Sequence, residues 1–155
     1  MAKVLVHDGN WVMHRAFSMA GKHRNPDNLE KNALTGFLSM VCNVSLERRA
    51  THVLVCFDGP ESFRTEIYPK YKANRGKKGA GTTLLKYDAT EIHTNIEVGT
   101  LIKPAKQILT MAGITYSHKR KYESDDLMAS AARSLSPAAY VEIITGDKDL
   151  NGEIN

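Results

Sequence analysis

Apolar and polar residues alternate between two regimes along this chain. Three short, nearly unbroken apolar runs, within "KVLVHDGN", "THVLVCFDGP" and "YVEIITGDKDL", have the length and β-branched content of buried strands. A fourth and shorter strand is expected in "ITYSH". Between them lie stretches whose apolar residues recur every three or four positions: "WVMHRAFSMA", "LEKNALTGFLSMVCNVSLERR", Val98 to Met111, and "SDDLMASAARSL". These predict helices. Ser124 is the expected N-cap of the last one, and Arg48 and Arg49 suit the C-terminal end of the second. "GKHRNPDN" reads as loop, and the long polar, basic and Gly-rich stretch from Glu61 to Asn95 as a partly mobile insertion. Strands alternating with helices predict an α/β fold: a parallel twisted sheet with helices on both faces. No internal repeat is visible.

Composition narrows this only a little. With 155 residues, 42% hydrophobic and 25% charged, the chain suits one soluble globular domain with a real core. Cys42 and Cys56 lack metal-site spacing and fall in apolar runs, so reduced, buried thiols and a cytoplasmic setting are expected. The N-terminal apolar run is too short for a signal peptide or a membrane span, and no later run reaches spanning length, so no membrane partner is expected.

Charge changes the picture more. The net charge is +4, and it is unevenly spread. From Arg64 to Lys86 seven basic residues (Arg64, Lys70, Lys72, Arg75, Lys77, Lys78, Lys86) face one acid, Glu66, and a second basic knot, "HKRK", covers residues 118–121. Acids gather elsewhere, most densely in "YESDDLMASAA", with Glu123, Asp125 and Asp126 within four residues. A basic stretch and a separate acidic focus suit an enzyme that uses a metal on a polyanion.

Asp8, Asp58 and Asp147 each follow an apolar strand. In an open parallel sheet the C-terminal ends of the strands share one edge, where sites form. With the start of the 124–135 helix at that edge, Asp8, Asp58, Glu123, Asp125, Asp126, Asp147 and Asp149 would gather there. Each cluster has a plain explanation as well. Acids in a first helical turn complement the helix dipole, an Asp-Gly after a strand makes a turn, and "GDKD" alone suits a surface loop. Recurrence at the same end of successive strands is what those causes do not arrange. Seven crowded carboxylates repel unless cations sit among them. Mg²⁺ prefers oxygen ligands and takes few carboxylates per ion, and two such ions about 4 Å apart promote phosphodiester hydrolysis.

Other motifs drop out. "GKKGAGTT" has the glycine spacing of a phosphate-binding loop, but Thr82 stands where Lys is required and no strand precedes it. A haloacid-dehalogenase-like phosphatase needs an Asp two residues after its nucleophile, whereas Gly9 and Asn10 follow Asp8. Strand alternation turns His7 away from its neighbour's side, so packing is expected of it, not metal ligation.

In order, "DGNWVMHRAF", "VLVCFDG…SFRTEIYPKYKANR", "YESDDLMASAA" and "IITGDKDL" resemble the signature blocks of the 5′-nuclease family: phage 5′→3′ exonucleases, flap endonucleases and the 5′-nuclease domain of bacterial DNA polymerase I. The resemblance covers nearly the whole chain and is weakest over residues 76–97. It implies a PIN-like fold with a basic arch-like insertion at about residues 62–97, use of two Mg²⁺ or Mn²⁺ ions, and hydrolysis of DNA at 5′ ends, flaps or junctions. It also implies roles. Asp8, Asp58, Glu123 and Asp125 would serve a first metal with Asp126 adjoining, while Asp147 and Asp149 would face a second. Lys72 and Arg75 would meet the scissile phosphate. Arg15 and Arg64 would contact DNA near the cut, and Tyr71 would either stack on a base or pack. Apart from the resemblance, Lys70, Lys77 and Lys78 of the basic stretch are candidate contacts to the DNA backbone.

The family's chain continues beyond the "GDKD" block into further metal-site carboxylates and a helix-hairpin-type duplex grip, whereas this sequence stops at "LNGEIN". The expectation is therefore a catalytic part without that module, either truncated, complemented by a separate chain, or sufficient with one well-formed site. A PIN-type endoribonuclease and a catalytically weak branched-DNA-binding subunit are the competing readings.

Overall fold

The computed structural model describes residues 1–21, 28–71, 83–87, 90–94 and 97–146, the two segments 83–87 and 90–94 by their backbone. Strand β1 (Ala2–Asp8) runs into helix α1 (Gly9–Ala20), and helix α2 (Leu29–Glu47) leads to strand β2 (His52–Cys56). A short helix α3 (Phe63–Ile67) is followed by strands β3 (Thr83–Tyr87) and β4 (Thr90–Thr94). A 3₁₀ turn (Val98–Leu101) then leads into α4 (Ile102–Met111), β5 (Thr115–Ser117), α5 (Ser124–Leu135) and β6 (Ala139–Ile144).

The main sheet is parallel throughout, in the order β5-β2-β1-β6. Alternation along the strands explains why both faces are covered. Val55 and Phe57 join Val12, Met13, Phe17, Phe37, Val41, Leu101 and Leu109 in a core beneath α1, α2 and α4. Val4, Val6 and Cys56 point the other way and pack with Met128 and Ala139 beneath α5. Neighbouring side chains on one strand thus belong to different cores, as a period of two demands. Burying a Phe or Leu side chain in either contributes about 1.5–3 kcal/mol.

The α/β expectation, with helices on both faces, is met. Three local expectations change. The last helix is capped by Glu123, which forms a capping box with Asp126, and Ser124 is its first helical residue. The box is reciprocal: the Glu123 side chain accepts the Asp126 backbone N–H, and the Asp126 side chain reaches back to accept the Glu123 N–H at 3.0 Å. The Val98 helix begins as a 3₁₀ turn, with Pro104 tolerated in the first turn of α4, where no N–H is required. It ends where Gly113 takes a left-handed φ of 71° and the Ile114 N–H returns to the Leu109 carbonyl. The polar stretch contains α3 and an antiparallel hairpin, β3 paired with β4 in the register Tyr87↔Thr90. The mobility expected between them falls on residues outside the described ones.

Candidate active site

The parallel register sets the site's level. Asp8 is opposite Cys56 of β2, and His7 is opposite Ile144 of β6, so Asp8, Asp58 and Thr145 emerge together at the strands' C-terminal edge. Asp8 caps α1 by accepting the Trp11 N–H at 3.0 Å through Oδ1, and its Oδ2 accepts the Thr145 hydroxyl at 3.1 Å. The Asn10 side-chain oxygen accepts the Asp58 N–H at 3.0 Å, tying the ends of β1 and β2 together. Asp58 in turn accepts the Ser124 N–H at 2.8 Å through Oδ1, which fixes the start of α5 to the same edge. Burial pushes the Asp8 carboxyl upward, the Asp58 charge adds to this, and the Trp11 and Thr145 bonds oppose it.

Glu123 is buried and accepts the Tyr71 hydroxyl at 3.2 Å through Oε2. Asp126 receives both guanidinium prongs of Arg64, each at 2.7 Å. Arg64 therefore has an internal carboxylate partner where a DNA contact was expected, and the hydrogen bonding to Asp126 raises its already high pKa. Asp125 is half-buried in the first turn of α5. Arg15 is exposed on α1 and lies over the Trp11 ring at 5.7 Å. Lys70 is exposed beside Tyr71. Lys72, Arg75, Lys77, Lys78, Asp147 and Asp149 lie outside the described residues. In the 118–121 knot, Arg120 pairs with Glu61 and Lys121 with Glu66, so those two cations are already matched by acids.

The donor set at this edge is oxygen only, which fits a hard divalent cation. The softer groups nearby face elsewhere: Cys56 lies in the core beneath α5, and His7 bonds Ser45 of α2 at 3.2 Å. Burial lowers the His7 pKa to about 4. Among the described residues, no three His, Cys, Asp or Glu side chains converge closely enough to hold an ion. Among the described residues Asp8 and Asp58 lie at this edge with the start of α5 tied to it, and Asp8, Asp58, Glu123 and Asp126 are each engaged by a hydrogen-bond donor of the protein. Sequence reasoning did not single out the supporting residues Asn10, Trp11, Thr145 and Gly146. Their only signal is adjacency to the acids, in "DGNW" and "TGD". Gly146 is required because a Cβ there would run into the Trp11 indole.

The family described as 5′-3′ exonuclease, N-terminal resolvase-like domain, matches residues 3–154. The chain belongs to this 5′-3′ exonuclease family. It is 32% identical over 150 residues to DNA polymerase I of Mycobacterium leprae, covering 94% of this chain and 15% of that protein. To the Geobacillus stearothermophilus DNA polymerase I it is 30% identical, covering 96% of this chain and again 15% of the relative. This 5′-3′ exonuclease domain thus spans a small part of the curated relatives' length. Its fold matches that of a bacteriophage T5 protein co-crystallised with metal ions (TM-score 0.70, 22% identity, 99% of this chain and 52% of that one). It also matches a T5 flap endonuclease in a complex with DNA and metal ions (TM-score 0.61, 20% identity, 94% and 49%). No described helix is long and apolar enough to cross a membrane.

Proposed function

We propose that the chain is the catalytic part of a divalent-metal-dependent 5′-nuclease that hydrolyses DNA phosphodiesters at 5′ ends, flaps or junctions. The observation that carries this reading is the Asp58–Ser124 bond, which draws the acidic start of α5 to the edge where Asp8 and Asp58 end their strands. Asp8, Asp58, Glu123 and Asp125 would hold one Mg²⁺ or Mn²⁺, with Asp147 and Asp149 serving a second. Such ions, when bound, neutralise phosphate charge and lower the pKa of bound water. The protein's own contribution is orientation. Thr145 holds the Asp8 carboxylate and Asn10 anchors the Asp58 backbone, while Lys72 and Arg75 would offset charge on the scissile phosphate. Arg15 on α1, together with Lys70, Lys77 and Lys78 of the basic insertion at about residues 62–97, would hold the strand by its backbone.

The T5 proteins of the same fold were crystallised with metal ions and, in one case, with DNA, which supports the class of cofactor and partner. A second reading, a branched-DNA-binding subunit with little cleavage of its own, is favoured by one fact: no three acids converge among the described residues. Cleavage of a 5′-labelled flap duplex in Mg²⁺ or Mn²⁺ separates the two. The nuclease reading expects cutting that EDTA stops and that Asp8→Asn reduces at least 100-fold. DNA binding with no cutting at any metal concentration would overturn it in favour of the second.

A further inference from the structure

Arg64 and Tyr71 stand at the two ends of the short segment that opens the basic insertion. Between them the chain folds back on itself: α3 ends with the Tyr68 N–H on the Arg64 carbonyl, and the Tyr71 N–H bonds the Tyr68 carbonyl. Both side chains then reach the start of α5. The Arg64 guanidinium places Nη1 and Nη2 on the two oxygens of Asp126, at 2.7 Å each, and Nη1 also lies 3.7 Å from Glu123 Oε2. The Tyr71 hydroxyl donates to that same Glu123 oxygen. Aromatic rings flank the guanidinium, with Phe63 at 4.8 Å and Tyr71 at 6.0 Å. A paired prong geometry between stacked rings is the arrangement an arginine takes in a fixed structural role. Asp126 is committed as well, since Oδ2 additionally accepts the Glu123 N–H.

We infer that Arg64 is a positioning residue: with Tyr71 it latches the root of the basic insertion to the acidic start of α5, and Asp126 serves this latch and not a metal ion. The inference rests on the nuclease reading for its functional consequence. DNA held by the insertion is delivered to the acids only if the insertion's root is fixed relative to them. A displacement of about 1 Å at a reacting centre can cost roughly 100-fold in rate. Loss of the latch therefore acts on turnover of bound DNA more than on DNA affinity.

The test is a double-mutant cycle with Arg64→Gln, Asp126→Asn and the two together. Urea unfolding in EDTA, which needs neither metal nor activity, reads the pair itself. Each single change should lower the folded-to-unfolded ratio about tenfold, and the double should lower it no further. Mn²⁺ titration reads the metal claim: Asp126→Asn should change affinity less than twofold, against at least tenfold for Asp125→Asn. Single-turnover cleavage at saturating flap DNA reads positioning. Arg64→Gln should slow it 10–100-fold with DNA affinity within threefold, and the reversed pair Arg64→Asp with Asp126→Arg should recover at least tenfold. The latch is overturned if the two single changes add in unfolding, or if Asp126→Asn weakens Mn²⁺ as much as Asp125→Asn. It is equally overturned if Arg64→Gln weakens DNA binding in step with its rate, as a phosphate contact would. Failure of Asp125→Asn to affect Mn²⁺ would instead strike the metal reading, leaving the unfolding cycle to judge the latch.

Discussion

Gly59 follows Asp58 at the point where the loop after β2 meets the loop before α5. Its N–H donates to the Tyr122 carbonyl at 2.8 Å, and two more backbone bonds, Phe63 to Lys121 and Lys121 to Pro60, zip the loops together. A Cβ at Gly59 would run into the Lys119 carbonyl, a backbone group with no rotamer to escape into. Gly59→Ala therefore forces the loops apart. Overpacking costs about 1–3 kcal/mol, and losing the Gly59–Tyr122 bond costs about 1 more. The sum, about 2–4 kcal/mol, corresponds to a fall of roughly 5–15 °C in Tm for a domain of this size. Gly99→Ala is the control, because nothing lies within 4 Å of a Cβ there. It should be neutral or slightly stabilising. Differential scanning calorimetry of the two variants measures the stability difference. Because Asp58 holds the Ser124 N–H from the same corner, Mn²⁺ affinity should fall as well. A Gly59→Ala protein melting within 2 °C of the Gly99→Ala protein would refute the steric argument.

Three other outcomes are expected. The folded His7 pKa of about 4 lies below the ordinary 6.5, so the unfolded chain binds more protons between these values. Unfolding free energy should then fall by up to about 3 kcal/mol as pH drops through that window, and His7→Gln should flatten the slope in urea titrations at pH 4 to 7. Burial, with help from the Asp8 charge, pushes the Cys56 thiol up to about 12, so a thiol reagent at pH 8 should label half-buried Cys42 first and Cys56 only at the unfolding rate. Asn10→Ala removes the acceptor of the Asp58 N–H, and should cost about 1 kcal/mol in stability and several-fold in Mn²⁺ affinity, read by calorimetric titration.

Periodicity made the main sheet legible. The apolar runs at 4–6, 53–57 and 141–144 became strands, and the acids following β1 and β2 emerged at one edge because parallel strands leave no alternative. The hairpin was harder to see. "TTLLKY" and "TEIHT" have β-propensity around a two-residue connection, but the glycines and lysines just before them dominate any average over the region. The cap of α5 was misplaced by one residue because Ser is the stronger local prior, while the Glu123–Asp126 reciprocity depends on where the helix actually begins. Internal partners were not legible at all. Arg64 is expected to contact DNA on the strength of its family block, and nothing in the sequence near it indicates its partner Asp126, 62 positions away. A contact of that separation is set by how β2 and α5 meet, which no local window contains.

Asp8 depends on partners both near and far in sequence. Its helix cap is formed by its immediate neighbours, whereas its other oxygen waits for Thr145, 137 positions later. The first half of this fold (β1, α1, α2 and β2) pairs its two strands across 48 positions, as in Val4↔His52. β6 closes a far larger loop before it can pair with β1. The loop-closure cost of the second partner of Asp8 is therefore the larger of the two. Among the described strands β6 is the last in sequence, so the Asp8–Thr145 bond at the acidic edge requires β6 to have docked beside β1.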